Sequence, residues 1–496
     1  MMRNPQLLVD KARLHFGNVR QPFTISAMGY RFCFITNPKD VLEVYRKTNA
    51  LTHDVFLNDL MLQFNVSKRT RELIFSQPDA SGQGLQLVSP NPYHRSLARL
   101  TVDIFREQMA PGPKLHRLGE TTKSLLEPLT RWSNMKSSWY TIRDEGNYRD
   151  ISLLHWCEEV MLKTASRTLF GEALDRVAPR IMEHFLQFDS LSFCALFQFP
   201  HCLSKLLGMI GARDRMTADV FRYVSLPLSE RSDRNWLIDQ LETEFINLGF
   251  DNHNIATLVA MIFWVSNTNA FKLLFWMMCY LLRHPTLKHH VTVELSSCFD
   301  QNGDLDVDSL TENMSAMPYT SALFYETLRV TNSASSAWYV ANSTSISGLH
   351  LRKGHRLIVP FRQLHHDAQV FGPSPSEFDF KRWLARDDLP RSQSFRPFGS
   401  GLWTCPARFF ATQEIFMAIA YLVYRCDVDL APLSPDDSSG RGSHRQPQQN
   451  QQPQQRMPRM DETSPGIGVV DVVKGEDYIV RLKERDCNQS IEGIRW

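Results

Sequence analysis

The stretch Phe398-Gly399-Ser400-Gly401-Leu402-Trp403-Thr404-Cys405-Pro406 decides how this chain is read. It sets a cysteine on a glycine-rich turn directly before a helix predicted to start at Pro406. The N–H groups and aligned peptide dipoles at a helix N-terminus favour negative charge. A sulfur placed there is held as a thiolate, and hydrogen bonds tune its donor strength. Glycines let the backbone lie close under a flat ligand, and proline in the first helical turn forfeits no hydrogen bond. The bland alternative is a buried cysteine beside a turn, yet the spacing of Phe398, Gly401 and Cys405 arises by chance in only about 0.03 of chains of such composition.

Working outward, the 496 residues are 43% hydrophobic and 22% charged, enough to bury a large interior. The 55 basic and 53 acidic side chains nearly cancel, which argues against nucleic acid as a partner. Nine cysteines are scattered without a Cys-x-x-Cys pair, so zinc sites and disulfide frameworks lose support and a reducing, intracellular setting is expected. Met1 to Asp10 is polar and contains Pro5, which fits neither a signal peptide nor a membrane anchor. Thr257 to Leu282 is long and apolar enough to span a bilayer, but Ser266-Asn267-Thr268-Asn269 and Lys272 sit at its centre, where polarity is costly in lipid. A buried helix is predicted instead.

Strand-like Tyr30 to Thr36 and helical Lys39 to Lys47, opened by Asn37-Pro38, predict a small sheet beside helices. Helical periodicity dominates from Leu97 to Leu328. Short turn-bounded strands follow, among them Leu349 to Leu351 and Arg356 to Val359, and helix returns at Pro406 to Tyr424. Residues 436–460, rich in Ser, Pro and Gln, have almost nothing to bury and are expected to be a disordered loop. Strand signals at Ile467 to Val473 and Tyr478 to Leu482 make that loop an insert between paired strands. The expected fold class is mainly α with small β-sheets, in a single large domain over residues 1–496.

Phe398, Gly401 and Cys405 together resemble the haem-binding loop of cytochrome P-450 enzymes. The resemblance implies the P-450 fold, iron protoporphyrin IX (heme b) as cofactor, and Cys405 as the axial metal ligand, with Phe398, Gly401, Arg396 and Arg99 (or its neighbour Arg95) also on the cofactor. It further implies a structural triad, for which Glu326, Arg329 and Arg382 are the counterparts. Glu326-Thr327-Leu328-Arg329 lies 79 residues before Cys405. The same Glu-x-x-Arg pattern recurs at Glu43 to Arg46 and Glu492 to Arg495, so spacing, not the motif alone, selects Glu326. A long helix over the cofactor is matched by Leu258 to Arg283. On it Thr268 and Asn269 stand where most members carry an acid and an alcohol for proton delivery, and they are the candidate catalytic pair. Simple satisfaction of local backbone groups is the competing role.

Asparagine at this place is shared by the branch with sterol 7-alpha-hydroxylases, sterol 12-alpha-hydroxylases and prostacyclin synthase. Phe34-Ile35-Thr36-Asn37-Pro38, Gln187-Phe188-Asp189, Leu281 to Pro285 and Cys405 to Ala411 are similar to that branch. Ala407 and Trp403 depart from the usual glycine and propionate-binding base. The resemblance implies a substrate pocket with Ser266, Ser333, Ser336, Trp338 and Ile467. It implies a monooxygenase that hydroxylates a lipophilic, steroid- or terpenoid-like substrate, including in secondary metabolism, with electrons from a cytochrome P-450 reductase. The alternatives are a lipid peroxide isomerase of prostacyclin-synthase type and a non-catalytic haem-binding protein. Phe188, Phe193, Phe197 and Phe199 offer either core packing or peripheral membrane contact, at the cytoplasmic face of the endoplasmic reticulum.

Overall fold

A computed structural model describes residues 5–27, 30–78, 85–136, 138–311, 314–432, 455–463 and 468–485. Its bulk is helical, packed around one large hydrophobic core whose biggest fully buried side chains include Trp156, Trp264 and Trp276. Five helices build the centre: Leu153–Phe170, Asn252–Asn267, Ala270–Arg283, Pro318–Thr331 and Arg408–Arg425. They are apolar on nearly every face, the pattern of helices with neighbours all round.

The long helix differs from its sequence expectation in two ways. It begins at Asn252 instead of Leu258, because Asp251 caps it by accepting the Asn254 N–H at 2.8 Å. It also breaks at Thr268–Asn269 and resumes at Ala270. Among the described residues Asn252–Arg283 is the one span apolar and long enough to cross a membrane, and 83% of its most apolar window is buried in the protein.

A five-stranded sheet runs in the order Phe23–Ala27, Tyr30–Phe34, Arg356–Pro360, Ser335–Val340, Leu51–Thr52. The pairing of Tyr30–Phe34 with Arg356–Pro360 is parallel and the others are antiparallel. A second core of Val41, Val44, Trp338, Leu357 and Val359 backs this sheet. The helix Pro38–Arg46 packs there, started by Asn37, whose side chain accepts the Lys39 N–H at 2.9 Å.

Cys426–Leu430 pairs antiparallel with Ile479–Glu484 in a four-stranded sheet, and the insert lies between these two strands. Its residues 436–454 lie outside the described ones. Residues 455–460 depart from the expected loop. Gln455 is buried, its amide donating to Ala431 O (2.8 Å) and Ile479 O (2.7 Å) and accepting from Ile479 N (2.9 Å). The side chain thus satisfies strand-end groups that would otherwise be orphaned. The strand predicted over Ile467 to Val473 reduces to isolated bridges of Val469 with Asn332 and Val472 with Met460. In the phenylalanine-rich segment Phe188 is fully buried, whereas Phe197 and Leu206 are exposed.

Candidate cofactor and active site

The cysteine loop is held from both ends. Cys405 N donates to Phe398 O at 2.8 Å, closing the turn, and Gly401 sits at φ +61° with its Cα side facing Tyr45, where a side chain would be strained. Phe398 packs near Phe324 of the helix Pro318–Thr331. The following helix starts at Arg408, two residues later than predicted, since Pro406 and Ala407 form the turn leading into it. Cys405 is half-buried just ahead of that first turn. Burial pushes its thiol pKa up, while the N–H groups of Ala407 and Arg408 and the Arg408 guanidinium pull it down. Burial outweighs these donors, so the free sulfur is held as the thiol, contrary to the thiolate expected from the turn alone; the backbone N–H groups lessen the cost of the anion that a metal would stabilise.

Glu326, Arg329 and Arg382 come together as expected. Arg329 grips Glu326 with Nε at 2.8 Å and Nη2 at 2.7 Å, both side chains fully buried, and Arg382 Nε adds a contact at 3.0 Å. Sequence reasoning missed two further donors to the same carboxylate: Trp383 Nε1 at 2.7 Å and Asp379 N at 2.8 Å. Arg329 also donates to the carbonyls of His365, Pro375 and Glu377. His365 then accepts the Arg396 N–H on Nε2 at 3.0 Å, and Asn332 Nδ2 donates to Pro397 O at 2.9 Å. These bonds run from the triad to the residues that begin the cysteine loop.

Burial keeps two histidines neutral here, His365 on this route and His366 next to it in the chain. His365 is held well below its ordinary pKa by burial, and His366 is lowered to about 3 by burial and by Arg362 and Arg329. The unfolded chain protonates a histidine below about pH 6.5 and the folded one does not, so stability falls as pH drops from 6.5 towards 3. His366→Gln is expected to flatten that slope by up to about 2 kcal/mol at pH 5, measured by urea unfolding at pH 5 and pH 8.

The cofactor's carboxylates can be tested against the residues present. Trp338 Nε1 and His53 Nε2 are buried without a hydrogen-bond partner, and the two rings lie 3.8 Å apart. Trp403, from the cysteine loop, stands 4.5 Å from His53, and Arg99 lies over its ring at 4.5 Å while pairing with Asp54 at 3.0 Å. Arg396 is turned back onto its own loop, donating to Gln393 O and Ser400 Oγ. Burial and Arg99 lower His53 to about 3. Orphaned polar atoms beside a cation and the cysteine loop fit the propionates of a haem, which would supply the missing partners. Trp338, expected on the substrate wall, is thus set beside the cysteine loop. Arg95 pairs with Asp103 at 2.5 Å and is not drawn into this group.

On the long helix, Val265 is 51% exposed although most of its neighbours are buried, and Ser266 and Asn269 are half-buried on the same side. Asn269 does not hold its amide oxygen free: it accepts the Val469 N–H at 2.9 Å. Thr268 is buried and donates to Asp189. Ser333 donates to Gly468 O from both its N–H (2.8 Å) and its hydroxyl (3.3 Å), and Ser336 bonds Tyr45. Ile467 lies outside the described residues. A Cβ on Gly468 would overlap the Asn269 amide. Gly468→Ala is therefore expected to cost about 1–3 kcal/mol in urea unfolding, and Gly468→Ala combined with Asn269→Ala to recover most of it.

A family model described as Cytochrome P450 matches residues 3–452. The chain is 25% identical over 332 residues to a 5-beta-cholestane-3-alpha,7-alpha-diol 12-alpha-hydroxylase of Sus scrofa, covering 59% of this chain and 63% of that protein. It is 22% identical over 445 residues to the 24-hydroxycholesterol 7-alpha-hydroxylase of Homo sapiens, covering 88% and 85%. A cytochrome P450 monooxygenase of Penicillium decumbens is 24% identical over 485 residues, covering 90% and 84%. The crystal structure of the cytochrome P450DA haem domain superposes with a TM-score of 0.61 at 16% identity, over 97% of this chain and 96% of that one. The family match takes in every helix of the described core, and the chain accordingly belongs to the cytochrome P450 family, as a haem-dependent oxidoreductase of monooxygenase type.

Proposed function

We propose that this protein hydroxylates an unactivated C–H bond of a steroid- or terpenoid-like substrate, drawing electrons from a separate reductase. The observation that carries the reading is the Cys405 loop, with its sulfur facing the N–H groups of Ala407 and Arg408, in a chain whose relatives include sterol hydroxylases. The haem, once bound, supplies dioxygen activation. Cys405 provides the thiolate that tunes it. His53, Trp338 and Arg99 would hold its carboxylate edge, and Phe398 and Gly401 shape the cysteine loop. Val265, Ser266 and Asn269 present a mixed apolar and polar surface suited to orienting a largely hydrocarbon ligand.

Exposed Phe197, Leu206 and Leu207, together with Leu14 and Phe16, support peripheral contact with the cytoplasmic face of the endoplasmic reticulum. The peroxide-isomerase alternative draws on the lack of an acid on the long helix; the approach of Asp189 to Thr268 weighs against it.

The test is an optical titration of the purified ferric protein with hydroxysterols, terpenoids and fatty acids. A sterol or terpenoid should displace the water on the iron and shift the Soret band. Fatty hydroperoxides turned over without a reductant, with no sterol or terpenoid response, would overturn the reading.

A further inference from the structure

Asp189 ends the helix Ile181–Asp189 with its carboxylate aimed at a helix that carries no acid of its own beside Thr268. Its Oδ1 accepts from the Thr268 hydroxyl and from Trp264 Nε1 at 3.0 Å, and its Oδ2 meets Lys272 Nζ at 2.7 Å. Trp264, Thr268 and Lys272 recur every four residues, so one stripe of the long helix receives one carboxylate. Lys272 reaches on to Asp471 Oδ1 at 2.8 Å. Side-chain exposure falls along this line from 45% at Asp471 to 7% at Lys272 and 4% at Asp189. The line ends at the helix break, where Thr268 adjoins half-buried Asn269.

Stability gives little reason for such an arrangement. Taking an ammonium and a carboxylate out of water costs several kcal/mol per ion, and well-packed apolar side chains of similar volume are often as stable. The two carboxylates more than offset the burial of Lys272 and hold its pKa above the ordinary value, while burial raises that of Asp471. The other titratable groups facing the line are Glu158, near Lys272 and Asp471, and Asp461, near Asp471.

We propose that Asp471, Lys272, Asp189 and Thr268 form a proton path between solvent and the pocket, with Asp189 acting through Thr268 as the acid–base partner that the long helix lacks. Moving inward, Lys272 first passes a proton to Asp189 Oδ2, the carboxyl turns and hands it to Thr268 Oγ, and Thr268 Oγ releases its own proton to a basic atom in the pocket. Lys272 recovers a proton from Asp471, which takes it from solvent, and Asp189 returns to its ionised form. One proton moves, every donor is restored, and no charge is left behind. Moving outward, each step reverses. This rests on the haem-thiolate reading above.

The probe is cyanide, which approaches as neutral hydrogen cyanide, loses its proton, and binds ferric iron as the anion. Imidazole binds the same iron without losing a proton. In the haem-loaded protein, Asp189→Asn should slow cyanide association, read from the Soret band, by about 100-fold, the low end for a positioned acid–base group. Imidazole association should stay within about twofold, and Asp189→Glu should recover most of the cyanide rate. Thr268→Val should reproduce the cyanide defect and serves where Asp189→Asn folds poorly. An unchanged cyanide rate in both variants overturns the path, as does parallel slowing of cyanide and imidazole, which marks a purely architectural role. A wild-type protein that takes up no haem, and so shows no Soret band, fails the haem reading itself, a result distinct from both.

Discussion

Cys405→Ser is expected to fold, bind haem weakly or not at all, and lose the red-shifted Soret band of the reduced carbon-monoxide complex. The sulfur is half-buried and its side chain anchors nothing else, so the isosteric change should alter stability of the apo-protein by under about 1 kcal/mol. What disappears is the ligand. A serine hydroxyl stays protonated at neutral pH, and the N–H groups of Ala407 and Arg408 that favour a sulfur anion have no comparable effect on it. Without thiolate donation, oxidation of substrate should fall by roughly two orders of magnitude or more. Absorbance spectra and thermal melts on the same samples check this. A retained red-shifted band, with melts unchanged, would remove Cys405 from the iron.

Glu326→Ala attacks the frame that holds that ligand. Its carboxylate receives Arg329 twice, Arg382, Trp383 Nε1 and the Asp379 N–H in a fully buried setting. Deletion leaves a buried guanidinium without counter-charge, a loss of about 3–5 kcal/mol against a total stability of about 5–15 kcal/mol. The damage should spread along the His365 and Asn332 bonds into the loop, so the protein should load little haem even where helix content survives. Circular dichroism and haem stoichiometry measure the two separately. Glu326→Gln keeps the shape and part of the hydrogen bonding and should fall between. Full haem loading of Glu326→Ala would show that the cluster does not control the loop.

The residues that carry chemistry locally were legible, and those assembled through space were not. Phe398, Gly401 and Cys405 sit within one turn, and Glu326 and Arg329 lie three apart on one helix, so spacing alone predicts their contact. Arg382 could be placed only by resemblance, and Trp383 and Asp379 as ligands of Glu326 gave no pattern at all. His53 and Trp338 reach the cysteine loop because strand pairing and the second core bring distant segments together. Asp189 belongs to the Gln187-Phe188-Asp189 stretch, but nothing in sequence says that a carboxylate 79 residues before Thr268 satisfies its hydroxyl. Nor does the sequence say that close approach of Gly468 gives the Asn269 amide oxygen to the Val469 N–H, 200 residues away.

Gln455 works as a clasp. By bridging Ala431 and Ile479 it brings the two ends of residues 433–454 together against a sheet edge that is already paired. With both flanks tied to the sheet, a change in the length of chain between them acts mainly through the entropy of loop closure. Closure entropy grows only slowly with length, about 0.6 kcal/mol per doubling. Evolution, or an engineer, can lengthen, trim or exchange that stretch, or splice a reporter domain into it, while haem affinity and ligand response stay as they are.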